Sequence, residues 1–313
     1  MIAKRGAFII SNLTKRRQMR CMKAFLTPAA LTITVAICPV QTAAQDGDFL
    51  PGGKLVLTNA TSSIEGSSGG GIATWATISG LETDRGIGVT GHATIIELPD
   101  YGWQSHGIAI GIANRVELSY ARQNFDTRNV GAALGLGRGY TLNQDVFGAK
   151  LRVAGDLVYG DPLMPQISIG VQHKRNLDGA VTRAVGAASA SGTDFVVSAS
   201  KLLLSRSMLL SATARYTAAN QTGLLGFGSG TRHDYAIEFE GSAAYQLSRR
   251  AVLGAEFRSK PDRLGLGEDD WMDLFAAYAV TDNLTLTAAY ADLGSIATFE
   301  DQRGAFLSAQ LAF

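Results

Sequence analysis

Between residues 233 and 247 apolar and polar side chains alternate, with Tyr235, Ile237, Phe239, Ala243, Tyr245 and Leu247 set against Asp234, Glu238, Glu240, Ser242 and Gln246. A period of two places successive side chains on opposite faces of a strand, so one face is oily and the other charged. The pattern recurs. Phe147, Ala149, Leu151 and Val153 alternate with Lys150 and Arg152, and Ile167, Ile169 and Val171 alternate with Gln166, Ser168 and Gln172. Met208, Leu210, Ala212, Ala214 and Tyr216 do the same with Ser211, Thr213 and Arg215. The final segment GAFLSAQLAF repeats it and finishes on an aromatic residue, as the closing strand of a bacterial outer-membrane barrel does. Leu307, Leu311 and Phe313 are therefore read as the outward row of a barrel-closing strand, and as the element that barrel-assembly machinery would recognise.

A soluble β-sandwich also alternates, so the connections carry the distinction. Strands are expected near 54–61, 71–80, 87–97, 103–112, 115–124, 144–158, 166–174, 194–204, 207–218, 233–247, 251–260, 271–280, 284–292 and 304–313. The links alternate between short ones, such as 113–114, 205–206 and 248–250, and longer Gly-rich ones, such as 125–143, 175–193 and 219–232. Short turns on one side and long loops on the other mark an up-and-down barrel, whose even strand count places both termini in the periplasm. The expected fold is all-β: a transmembrane antiparallel β-barrel of about 14 strands, or of 12 if the first hairpin is not in the wall. No apolar run after Val40 is long enough for a membrane helix.

The N-terminus reads as an export signal. Lys4, Arg5, Lys15, Arg16, Arg17, Arg20 and Lys23 precede an apolar stretch from Phe25 to Val40 and the small residues Ala43 and Ala44. Residues 1–44 are the expected signal peptide, with Met22 an alternative start. Residues 45–53 follow as a periplasmic segment and 54–313 as the barrel. Both cysteines, Cys21 and Cys38, lie in the signal, so the mature chain has no thiol chemistry. All seven basic residues of 1–44 leave with it, taking Lys+Arg from 28 to 21 against 27 acids, a net charge of −6. Nucleic acid, which selects a concentrated basic face, is not an expected partner. The outer membrane of a Gram-negative cell is the expected location, with its lipid as the surrounding partner.

If the apolar faces meet lipid, the polar faces line the lumen. The expected lumen-facing residues are Glu117, Lys150, Arg152, Gln166, Gln172, Arg215, Glu238, Glu240, Glu256, Arg258 and Asp273. A lipid-facing Arg or Lys at mid-depth would cost ~2–4 kcal/mol, which forces this partition on a spanning chain. A three-residue turn at 248–250 sets Leu247 opposite Ala251 and Glu240 opposite Arg258. Aromatic residues near strand ends, among them Trp75, Trp103, Tyr216, Tyr245, Trp271 and Tyr290, suggest interfacial girdles. Three long loops carry an apolar tetrad, Leu134–Gly137, Leu225–Gly228 and Leu264–Gly267, read either as turn chemistry or as a constriction at the mouth.

Enzyme signals are weak. Gly66-Ser-Ser-Gly-Gly70 has the nucleophile-elbow spelling without the strand-to-helix context, and is read as a flexible loop. His92, His106, His173 and His233 lack metal-ligand spacing. His92 falls on the expected inner face and His106 beside Ser105 near a rim, and the neighbouring strands 87–97 and 103–112 keep a membrane-embedded lipid hydrolase as a remote alternative. The acids Glu268, Asp269 and Asp270 are a solvated loop end or, less plainly, Ca²⁺ ligands. No cofactor, metal or catalytic residue is expected.

The segments GLGRGYTLNQDVFGAKLRVAGD (135–156), EFRSKPDRLGL (256–266) and AAYADLGSIATFEDQRG (288–304) resemble blocks of an uncharacterised proteobacterial family, domain of unknown function 3034. The likeness runs from about Pro51 to Phe313. It implies an outer-membrane-type barrel and brings no activity, ligand or catalytic residue. Two functions are therefore expected from the wall: a passive, porin-like conduit for small solutes, or a non-conducting structural or docking barrel that presents its outer loops.

Overall fold

The computed structural model describes Lys54, Leu57, Thr58, residues 60–161 and residues 163–313. The expected signal and the segment 45–53 lie outside the described residues. The wall is a closed antiparallel barrel of twelve strands. Its first six are β3 (Ile87–Glu97), β4 (Gly102–Ile112), β5 (Val116–Asp126), β6 (Thr141–Ala154), β7 (Gln166–Asn176) and β8 (Ser191–Leu203). The rest are β9 (Met208–Thr217), β10 (Ala236–Ser248), β11 (Ala251–Arg258), β12 (Trp271–Ala279), β13 (Leu284–Asp292) and β14 (Arg303–Ala312). Each strand pairs with its sequence neighbour, and β14 closes on β3.

Alternation decides the two faces. Ile108, Leu118, Phe147, Phe239, Leu274 and Leu307 stand exposed on the outside, while the residues between them turn inward and are buried. An apolar belt around a closed sheet satisfies every backbone group in the wall and presents hydrocarbon to lipid. The β10–β11 register sets Glu240 opposite Arg258 as expected. A bulge between Gln246 and Ser248 puts Ser248, not Leu247, opposite Ala251.

The first hairpin is not in the wall. Of the ranges 54–61 and 71–80, read from sequence as wall strands, Ala60, Thr61 and residues 71–80 belong to a segment that fills the lumen. Inside it β1 (Thr61–Ser62) and β2 (Ser68–Gly69) form a two-residue ladder. Every residue from Ala60 to Gly80 is buried. Composition explains the choice. Five glycines and five serines fall between Ala60 and Glu82, and no row of large apolar side chains is available there to face lipid. The Gly66–Gly70 stretch is thus a buried turn packed against the wall rather than a flexible loop.

Two apolar clusters close the interior at its ends. At the outer end Ile64 and Ile72 of the plug meet Trp103, Trp271 and Phe306 of the wall and Leu224, Leu225, Leu293 and Ile296 of the outer loops. Trp103 and Trp271 stack edge to face at 5.5 Å. Trp103 and Trp271 are therefore interior, not girdle, because outer-loop side chains cover the inner face there, and Trp75 is interior as part of the plug. Tyr216, Tyr245, Tyr278 and Tyr290 do stand on the outside. Toward the other end Trp75 and Ala60 pack on Leu202, Leu209 and Phe275.

Candidate functional site

The lumen and its plug form the site. The wall's charged side chains hydrogen-bond the plug's backbone. Glu256 on β11 accepts from the Ile72 and Ala73 amides at 2.9 and 3.3 Å, from the Trp75 indole at 3.2 Å and from the Ser242 hydroxyl at 2.6 Å. Glu240 accepts from the Thr74 amide at 2.6 Å. Glu117 accepts from the Ser68 and Ser79 amides at 3.2 and 2.8 Å, while Lys150, 3.2 Å from Glu117, donates to the Ser68 and Thr77 carbonyls. Gln166 donates to the Ala76 carbonyl, and Ser105 and Gln123 both donate to that of Ile64. A buried backbone group left unpaired costs about as much as a lost hydrogen bond, so these wall residues are what allow an irregular segment to sit in the barrel.

The one acid inside the plug's hairpin gathers three wall cations. Glu65 Oε1 lies 2.5 Å from Lys174 Nζ and 2.9 Å from Arg258 Nη2, and Oε2 lies 3.0 Å from Arg215 Nη2. Asp194 holds Lys174 at 2.7 Å and Arg215 at 3.1 Å, and Glu240 holds Arg215 at 2.6 Å. The network lies in the outer third of the lumen, near the upper ends of β7, β9 and β11. Lys174, Asp194 and Glu65 were not singled out from the sequence. Extending the β7 alternation two residues past Gln172 reaches Lys174, but nothing in a Gly/Ser turn marks Glu65 as their partner.

The other expected lumen residues are placed as follows. Gln172 accepts from Arg215 Nη1 at 2.5 Å. Arg152 sits at the short-turn rim between Asp84, 3.0 Å away, and Asp156, 3.2 Å away. Glu238 is half-buried and accepts from the Ser259 hydroxyl at 2.8 Å. Asp273 is buried opposite Glu256, and neither of its oxygens has a hydrogen-bond partner. Leu307, Leu311 and Phe313 all face outward.

Two ion pairs lie outside the strands, one at the end of the plug and one among the outer loops. Lys54 donates to the Ile78 and Gly80 carbonyls and lies 3.4 Å from Glu82. Burial pushes the Glu82 carboxyl above its usual range, against the pull of Lys54. At the outer mouth Lys260 lies 2.8 Å from Glu268, whose carboxylate also accepts from the Ala297 amide and from Gln221. Burial lowers the Lys260 ammonium and Glu268 offsets part of that shift. Glu268 is thus a loop brace, and among the described residues no group of three His, Cys, Asp or Glu is set to hold a metal. Of the three apolar tetrads, Leu225 and Phe227 are buried in the lid and Leu264 and Leu266 pack partly against it, while Leu134 stays exposed.

Ser105 lies 3.3 Å from His92, but its hydroxyl donates to the Ile64 carbonyl at 2.7 Å. A nucleophile would need that proton taken by the imidazole. Room in the lumen is small. A cavity of about 20 Å³ lies beside the cation network and one of about 140 Å³ opens by Lys54, Thr77, Asp84, Asp156 and Tyr159. The first holds roughly one water.

Among solved structures the chain is similar to the KdgM porin, at 10% identity and a TM-score of 0.46 over 72% of this chain and 99% of that one. It is similar to the NanC porin at 10% identity and a TM-score of 0.43, over 72% and 98%. Outer membrane phospholipase A from Escherichia coli is matched at 10% identity and a TM-score of 0.40, over 72% and 92%. Among the curated proteins none matches this chain in sequence. The family described as "Protein of unknown function (DUF3034)" matches residues 58–310, most of the chain, and the protein belongs to that family.

Proposed function

We propose that the protein is a gated conduit of the Gram-negative outer membrane: a porin-like barrel for small polar solutes, closed by its own N-terminal segment and without enzymatic activity. The observation that carries this reading is the chemistry of the plug–wall interface. A permanent filler would be served as well by apolar side chains, since a buried ion network is often no more stabilising than well-packed hydrophobic residues. Here the wall keeps Lys150, Lys174, Arg215, Glu117, Glu240 and Glu256 on its inner face and joins them to a plug built of small residues. Withdrawal of such a plug leaves a lumen whose polar groups water can satisfy. Twelve strands enclose a wide enough interior for a passage once it is empty. Export through the N-terminal signal and insertion by barrel-assembly machinery at the C-terminal strand complete the proposal.

The buried ions themselves favour a second reading, a barrel braced shut for good, because Lys174, Asp194 and Glu65 have no exposed side-chain surface. Liposome swelling separates the two. Vesicles carrying the full mature chain should swell slowly in an isotonic neutral sugar, and vesicles carrying a variant without residues 60–82 should swell several-fold faster. A variant that keeps heat-modifiable gel mobility yet is as tight as the full chain would reject the conduit.

A further inference from the structure

We propose that Lys174, Arg215 and Arg258 form a binding site for the carboxylate of an anionic small solute, and that Glu65 occupies it in the closed state as a built-in surrogate. The inference rests on the gated-conduit reading and names the solute class of that conduit.

Three features of the ring carry it. The cations come from three separate strands and converge on one carboxylate, with Lys174 and Arg258 on Oε1 and Arg215 on Oε2. That carboxylate stands at the tip of the β1–β2 hairpin, in a turn closed by the Ser63 amide on the Ser67 carbonyl and the Gly66 amide on the Ser63 carbonyl, both at 2.9 Å. Gly66 adopts a φ of +87°, a conformation that lets the chain reverse directly after Glu65. A carboxylate presented on a narrow tip is what a small carboxylic acid would offer in solution.

The second feature is charge. Without Glu65 the three cations face only Asp194 and Glu240, with Arg258 left 3.7 Å from Glu240 as its nearest acid. The ring is then one negative charge short. Nearby Glu268 is paired with Lys260 and Glu238 lies 3.8 Å from Arg263, so these two acids are matched by other cations and neither supplies the missing charge. Lys174 and Arg258 donate charge-assisted hydrogen bonds to Glu65 Oε1 and Arg215 adds a close positive charge, so an empty ring would favour an anion from solution.

The third is access. The cavity of about 20 Å³, room for roughly one water, borders the ring at Lys174, Asp194, Arg215 and Arg258, whose side chains are buried, so a solute reaches them only once the plug or lid moves. Above it the lid residue Thr222 accepts from Lys174 at 3.1 Å through its carbonyl. Lid residues Gly223 and Gly226 hold φ values of +107° and +76°.

The test is single-channel recording of the full mature chain. Glu65→Gln should raise the open probability about tenfold or more, the change expected when a charged hydrogen-bond partner is lost. Wild type should open more often when citrate is added at on the order of tens of millimolar, because a tethered group competes at millimolar effective concentration. Chloride at equal ionic strength should not do this, and Arg258→Gln should abolish the citrate response. Inorganic phosphate in place of citrate tells a carboxylate site from a general anion site, and an equal or stronger phosphate response would overturn the carboxylate assignment. A folded Glu65→Gln chain that stays closed while the chain without 60–82 conducts would overturn the surrogate and leave the gate standing. Silence of both would overturn the gate and the inference with it.

Discussion

Gly111 on β4 sets how closely the plug approaches the wall. A Cβ there would meet the Ser79 carbonyl and the Glu82 carboxylate. The carboxylate is the end of a flexible side chain, but the carbonyl is backbone and can move only with the plug. Gly111→Ala is therefore expected to loosen the plug by about 1–3 kcal/mol, the usual cost of overpacking, without disturbing the wall. Limited proteolysis of the detergent-solubilised protein should cut within 60–82 sooner than in wild type, with the barrel's heat-modifiable mobility intact. An unchanged cleavage rate would mean that the plug is not held against β4.

At the scale of elements, the last strand does two jobs. The Phe313 amide donates to the Val89 carbonyl at 2.8 Å, and the Phe313 carbonyl accepts from Val89 at 2.9 Å and from Leu81 at 3.2 Å. One residue thus pins both the β14–β3 seam and the segment that leads out of the plug. Deleting Phe313 removes three hydrogen bonds worth roughly 1 kcal/mol each. The folded, heat-modifiable fraction after refolding into detergent should fall, and a full yield would show that the seam closes without it. The twelve wall strands were readable because each must hold a lipid-facing row, and period two reports that directly. The plug was not. Ile72, Thr74, Ala76 and Ile78 keep a strand-like spacing, but spacing does not say whether lipid or another part of the chain covers a face. Trp103 and Trp271 were misplaced for the same reason: an aromatic residue near a strand end reads as girdle whether it points out to the interface or in beneath a lid. Glu240 opposite Arg258 was legible because register alone sets it, whereas the convergence on Glu65 depends on a segment whose position the wall pattern does not encode.

For the whole molecule, the outer lid, the ion ring and the plug form one continuous column inside the barrel. The lid packs on Ile64 and Ile72 of the plug through Leu224, Leu225 and Ile296. Opening must therefore part an apolar contact above and a polar one below. The polar part is reversible in water, since every wall group bonded to the plug can be hydrated instead. Closure of a polar passage by residues 60–82 underlies every step of this mechanism. It is tested most directly by single-channel conductance in a planar bilayer, comparing the full mature chain with the chain lacking 60–82. The full chain should be silent or open rarely, and the shortened one should give steady open steps. Equal conductance, or equal silence from two folded barrels, would contradict it.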